Sequence, residues 1–281
     1  MKTLDGAGRV LGLDRTLVMG VLNITPDSFY TGSRYQGLDV ALSMAETMLN
    51  AGADILDVGG ESTRPGAGGA PNCQQELDRV APVVEALVQR FDAVVSVDTS
   101  SAQVMTETCK LGAGMINDVR ALCRKGALEA AVRTGLPVVL MHSLVDQPAP
   151  GFVPHYDNVA DEVCEYLLQR VAECERAGLA KEKILLDPGF GGGMFGKTPG
   201  YDLSLMKNLH KVTDLGFPVL AGVSRKSVIG AVLDKPAEQR LAGSLAMAAL
   251  AAQAGARIIR VHDVAETCDA IRMVEAVRLA D

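Results

Sequence analysis

The chain has 281 residues, a length compatible with two small domains or with one large α/β barrel. With 48% hydrophobic and 22% charged residues it can bury a sizeable core without metals or disulfides, which argues against a disordered or cysteine-stapled chain. A net charge of −7 argues against a general nucleic-acid-binding surface, and no apolar run approaches the length of a membrane span, so any anion site must be made locally.

Residues 1–16 lack the apolar core of a signal peptide and read as a short extension, so a cytoplasmic location is expected. From there, short β-branched runs alternate with longer amphipathic stretches. Strands are predicted at 17–22, 53–58, 93–97, 114–117, 137–141, 183–186, 218–222 and 257–261. Helical patterns follow each in turn near 38–50, 74–90, 101–111, 126–134, 156–177, 201–213, 226–233 with 238–254, and 264–279. Eight such units predict a closed (β/α)8 TIM barrel, and with no Pro-, Gly- or Ser-rich linker the whole of 1–281 reads as one domain. An open doubly wound sheet would want a G-x-G-x-x-G turn opening an early helix, and the sequence has none there. The six cysteines, Cys73, Cys109, Cys123, Cys164, Cys174 and Cys268, show no C-x-x-C pairing and read as packing thiols.

In such a barrel the loops after the strands gather at one mouth. They carry Asn23 to Phe29, Glu61 to Gly66, Asp98-Thr99, Asn117-Asp118, Met141-His142, Asp187 to Phe190, Ser224 to Ser227 and Arg260 to Asp263. Any one of these polar residues reads equally well as a helix cap, but eight sets of charged and amide groups at one mouth predict a small polar ligand. The set divides by chemistry. Asp98, Asn117 and Asp187 suit a heterocycle rich in N–H donors, with Lys226 able to donate to a ring carbonyl. Asn23, Thr63, Arg64, Arg260 and His262 suit phosphate oxygens or the magnesium ion that accompanies them.

The segments N-I-T-P-D-S-F, V-G-G-E-S-T-R-P-G, S-V-D-T, I-N-D, L-M-H, L-L-D-P-G-F-G, S-R-K-S and I-I-R-V-H-D occur in this order over nearly the whole chain. Together they resemble the bacterial dihydropteroate synthase family. The resemblance implies an enzyme that joins 4-aminobenzoate to (7,8-dihydropterin-6-yl)methyl diphosphate with magnesium, releasing diphosphate, and that forms a homodimer. It assigns Asn23 to magnesium, Thr63, Arg260 and His262 to diphosphate, and Asp98, Asn117, Asp187 and Lys226 to the pterin. Arg64, Ser227 and Val261 complete the substrate-binding set, and Asp98, Asp187, Lys226 and Arg260 are the candidates for a direct part in the reaction. Gly59 and Gly60 are expected to turn the chain sharply off the rim, and Pro65 to stiffen the loop that carries Thr63 and Arg64.

Ionising the exocyclic C–O bond would delocalise positive charge into the dihydropterin and build negative charge on diphosphate, so no nucleophilic side chain is needed. A Ser-His-Asp reading of Ser224, His262 and Asp263 is correspondingly weak. The family pattern is left at Tyr30 to Ser33, in M-H-S-L-V-D-Q-P after strand five, and in an enlarged loop from Asp187 to Lys197. In that loop Phe195, which precedes Gly196-Lys197, is expected to take the aromatic position beside 4-aminobenzoate, and Phe190 to belong to the core. Two rivals remain: a methyltetrahydrofolate–corrinoid methyltransferase, which has no diphosphate to hold, and a pterin-binding paralogue without synthase activity.

Overall fold

The computed structural model describes residues 3–24, 34–61, 72–146, 149 and 151–280. Two short strands, β1 (Thr3–Gly6) and β2 (Arg9–Gly12), precede β3 (Leu17–Asn23), β4 (Ile55–Gly59), β5 (Val94–Asp98), β6 (Met115–Asp118), β7 (Val138–Met141), β8 (Ile184–Asp187), β9 (Leu220–Ala221) and β10 (Ile258–Val261). The last eight are parallel, in the order β8-β7-β6-β5-β4-β3-β10-β9. A parallel bridge between Leu186 and Val219, with the Leu186 N–H donating to the Pro218 carbonyl at 2.9 Å, joins β8 to β9 and closes the ring. Helices stand between successive strands, so the expected (β/α)8 barrel is what the chain forms.

Alternation along the strands separates two apolar layers. Val18, Leu22, Leu56, Val58, Val95, Val97, Ile116, Leu140 and Val261 point outward and pack with helical residues such as Val80, Val84, Val104 and Val163. Leu17, Met19, Ile55, Val94, Met115, Val139, Leu185, Leu220 and Ile258 point inward and fill the lower half of the barrel. Leu4 and Leu13 join this inner cluster, so the antiparallel β1–β2 hairpin, whose turn residues Ala7 and Gly8 both have positive φ, plugs the lower end. Leu4 and Leu13, from the segment expected only as an extension, therefore complete the core.

Three local expectations differ from the structure. The strand predicted at 218–222 is reduced to Leu220–Ala221. The helix predicted at 201–213 divides at Asn208 into Pro199–Lys207 and His210–Thr213, because the Asn208 side chain donates back to the Ser204 carbonyl at 2.8 Å and ends the first piece. Gly59 and Gly60 do not use left-handed backbone: Gly59 is an extended residue of β4 paired with Asp98, and neither has positive φ. Glycine at 60 serves close packing instead, since a Cβ there would lie 2.7 Å from Val80 Cγ2 of the helix Cys73–Arg90. Among the described residues no helix is long and apolar enough to cross a membrane.

Candidate active site

The inward-facing positions change character along the barrel. Above the apolar floor come Asp57 from β4, Ser96 and Asp98 from β5, Asn117 from β6, Asp187 from β8 and Arg260 from β10. These side chains meet. Arg260 donates from Nε to Asp57 Oδ2 at 2.6 Å and from Nη2 to Asp98 Oδ2 at 2.8 Å. Asn117 donates from Nδ2 to the same Asp57 oxygen at 3.1 Å. The sequence reading put Arg260 with the phosphate-binding residues and Asp98 with the ring-binding ones, whereas here the two are bonded.

Enclosure perturbs the charges. Burial pushes the Asp98 carboxyl up to about 7 even though Arg260 pulls the other way, and the nearby Asp57, Asp118 and Glu61 add to the rise. Burial likewise raises Asp187, opposed by the Gly189 N–H that donates to its Oδ1 at 2.7 Å and by Lys226. Lys226 is lowered to about 8, first by burial and then by Arg260. Burial works against the Arg260 charge, but Asp57 and Asp98 outweigh it and hold the guanidinium firmly protonated. Three titrating groups are thus brought towards neutrality around one fixed cation, a clustering typical of functional sites.

The enlarged loop after β8 builds the side wall. Phe190 is buried in the outer apolar layer, while Phe195, at the end of the short 3-10 turn Gly193–Phe195, packs on Val119 and Met141. Lys226 Nζ stands 4.2 Å above the Phe195 ring. Gly191, at φ 118°, lies so close that a Cβ would come within 3.0 Å of that ring and 3.4 Å of Lys226 Nζ. Beneath the loop the buried Lys197 donates to the carbonyls of Gly189 at 2.8 Å and Phe195 at 3.1 Å and lies 2.9 Å from His142 Nδ1. Burial lowers Lys197 to about 7, and burial with the neighbouring Lys197 charge lowers His142 to about 2. Asp202, from the following helix, accepts the Gly191 N–H at 2.9 Å.

Other residues of the strand-end set are tied into the loops or stand at the rim. Asp118 turns outward, fully buried, accepting from Ser100 Oγ and from the N–H groups of Arg120 and Leu122. Glu61 binds Arg120 at 2.9 Å, and Arg120 also reaches Asp146, so three loop bases are tied together. Arg225 pairs with Asp263, and His142 belongs to the Lys197 support. His262 Nδ1 lies 3.1 Å from Ser224 Oγ, but Asp263 faces Arg225 rather than that pair, so no Ser-His-Asp relay forms. Asn23 ends β3 exposed at the mouth, and Ser227 is exposed at the start of the helix Ser227–Leu233. The Val261 side chain is turned into the outer layer, so only its backbone is available to a ligand. Thr63 and Arg64 lie outside the described residues. Asp57 and Lys197 were missed by the sequence reading. Asp57 lies within the predicted strand 53–58, and its period-two spacing from Ile55 places it inside the barrel.

Residues 19–262 match a family described as "Pterin binding enzyme". The dihydropteroate synthase of Escherichia coli strain K12 is 52% identical over 273 residues, covering 97% of this chain and 95% of that protein. The structure of the Xanthomonas albilineans dihydropteroate synthase with 4-aminobenzoic acid superposes with a TM-score of 0.91 at 47% identity, covering 100% of this chain and 99% of that one. The same enzyme in complex with 7,8-dihydropteroate gives a TM-score of 0.88 at 45% identity, covering 99% and 100% of the two chains.

Proposed function

This chain belongs to the pterin-binding enzyme family, among the dihydropteroate synthases, and we propose that it joins 4-aminobenzoate to (7,8-dihydropterin-6-yl)methyl diphosphate to give 7,8-dihydropteroate and diphosphate. The observation that carries the reading is the polar cluster of Asp57, Asp98, Asn117, Asp187 and Arg260 on inward positions of five strands above a wholly apolar floor. Such a cluster can recognise a flat, N–H-rich ring entering edge first.

In this reading Asp98, Asn117 and Asp187 accept ring and amino N–H groups, and Lys226, still mostly protonated at pH 7, donates to a ring oxygen or nitrogen. The exocyclic C–O bond then breaks, its electron pair leaving with diphosphate, and the positive charge spreads into the ring between the carboxylates of Asp98 and Asp187. The amine lone pair of 4-aminobenzoate forms the new C–N bond at the methylene carbon, and the surplus amine proton is released to water. Phe195 would pack against the aminobenzoate ring, and Ser227 and Arg64 would complete the substrate-binding set. Thr63, Arg260, His262 and the Val261 backbone would meet the diphosphate.

The residues present fit magnesium in a limited way. Asn23 offers one neutral amide oxygen at the mouth, and among the described residues no three His, Cys, Asp or Glu side chains gather around a common point. A single such donor suits an ion that keeps several waters and takes its other ligands from diphosphate. When bound, magnesium would neutralise charge developing on the leaving group. Cytoplasmic location and a homodimer complete the reading. The exposed apolar side chains Val232, Leu250, Met273 and Val277, on the helices Ser227–Leu233, Leu241–Gln253 and Val264–Arg278, support the dimer. Diphosphate release with both substrates present tests the activity, and sedimentation at micromolar concentration tests the dimer.

A further inference from the structure

Asp57 is fully buried on β4, between β3 and β5, and a carboxylate in that position persists only where its charge is matched. Its Oδ2 accepts from both Arg260 Nε and Asn117 Nδ2, while its Oδ1 has no hydrogen-bond partner among the described residues. Arg260 extends the chain of contacts to Asp98 through Nη2. One carboxylate on β4 therefore links side chains of β6 and β10, and through Arg260 a third on β5.

We propose that Asp57 is a positioning residue of the pterin site: it fixes the plane of the Arg260 guanidinium, sets which face of the Asn117 amide meets the ligand, and through Arg260 holds the Asp98 carboxylate. The chemistry of the three groups explains why a carboxylate is needed. An ionised carboxylate is only an acceptor, so the Asn117 amide must turn its NH2 towards Asp57, leaving its oxygen for ring donors. A guanidinium is a planar fork, and anchoring Nε at one carboxylate and Nη2 at another fixes its plane and so the direction in which its remaining donors are offered. The fully occupied Oδ2 and the unpartnered Oδ1 show that Asp57 is oriented by these contacts rather than by a hydrogen-bonded shell of its own.

The charge of Asp57 also acts on its surroundings. Facing it are Asp98 from β5, Asn117 from β6 and Arg260 from β10, with Glu61, Asp118, Asp187 and Lys226 around the same cluster. After burial, and against the pull of Arg260, the Asp57 charge is one of the reasons Asp98 titrates near 7. Removing it lowers the Asp98 value, so any step that needs ionised Asp98 survives to lower pH.

The test uses the full chain as Asp57→Asn, Arg260→Gln and the double variant. Its kinetic arm rests on the synthase reading, so it is paired with calorimetry using 6-hydroxymethylpterin, which requires no turnover. Asp57→Asn is expected to lower kcat/KM about 100-fold, the cost of misplacing groups by about 1 Å. It should also weaken pterin binding and move the acid limb of the pH profile to lower pH. In the Arg260→Gln background the same substitution should cost clearly less than in the wild type, because one of the two groups it positions is already gone and only the Asn117 amide is left to misplace. Wild-type-like affinity and kinetics in Asp57→Asn would overturn the proposal. So would full additivity with Arg260→Gln accompanied by an unmoved acid limb. Should Asp57→Asn not fold, the double variant removes both charges of the pair: its recovery of a cooperative fold supports the proposal, and its failure overturns it. A wild-type chain that binds the pterin but releases no diphosphate contradicts the synthase reading alone, and calorimetry then decides the role of Asp57.

Discussion

Truncating the two phenylalanines of the loop after β8 separates the ligand-facing wall of the site from the core behind it. Phe190 is 1% exposed within the outer apolar layer, so Phe190→Ala leaves a cavity and should cost about 3–5 kcal/mol of stability. Phe195 is half-buried, seated on Val119 and Met141 beneath Lys226 Nζ. If its free ring surface packs against the incoming 4-aminobenzoate, about half of a full aromatic burial is at stake, roughly 0.8–1.5 kcal/mol. That corresponds to a rise in the aminobenzoate KM of about 4- to 12-fold. Pterin affinity should change less, because Asp98, Asn117 and Asp187 stand on β5, β6 and β8 and do not rest on this ring, and of the residues assigned to the pterin Lys226 is the one that lies over it. Steady-state kinetics with each substrate varied in turn, together with thermal melts of both variants, decide the matter. A KM defect carried by Phe190→Ala, with Phe195→Ala kinetically like the wild type, would refute the assignment of Phe195 to the aminobenzoate wall.

Asp187→Asn can keep the bond from the Gly189 N–H through its remaining oxygen while presenting NH2 to a ring donor, so the fold should persist and pterin affinity fall by about 2–4 kcal/mol; calorimetry on the folded variant checks this. His142 is held near 2 in the fold against an ordinary value of 6.5, so the unfolded chain takes up the proton first as pH falls. Its contribution to stability is fully present above about 6.5 and declines by about 1.4 kcal/mol per unit below it, a slope that His142→Gln should remove in denaturation curves at pH 7, 6 and 5. Lys197, lowered to about 7 from 10.5, acts in the other window: stability should rise with pH between those values as the unfolded chain loses its proton. Leu4→Ala opens the plug under the barrel and should cost about 2–5 kcal/mol without altering KM for either substrate, since Leu4 lies with the floor residues Leu17 and Met115, away from the mouth.

Strand positions were legible because a parallel barrel buries both faces of each strand, and runs such as Ile55-Leu56 and Val138-Val139-Leu140 announce themselves. Much of the mouth was legible too: Asp98, Asn117, Asp187, Lys226 and Arg260 do come together. Their pairing was not legible. Arg260 reaches the acids of β4 and β5 across the closed ring, a contact between residues 203 and 162 positions apart. Polar residues at strand ends also could not be divided by type into ligand-facing and structural. Asp118 and Asp98 both end strands, but Asp118 falls on the outward phase and ties a loop together. The hairpin at residues 3–12 escaped notice because its few apolar residues become core only once they meet the floor of a finished barrel.

The central claim, that this mouth condenses a dihydropterin diphosphate with 4-aminobenzoate, is tested most directly by measuring diphosphate and 7,8-dihydropteroate together in one reaction with magnesium and both substrates. The account predicts that both products accumulate in equal amounts, that omission of 4-aminobenzoate abolishes dihydropteroate, and that Arg260→Gln removes most of the turnover. A folded chain that forms neither product, or that instead transfers a methyl group from methyltetrahydrofolate to a corrinoid carrier, would contradict it.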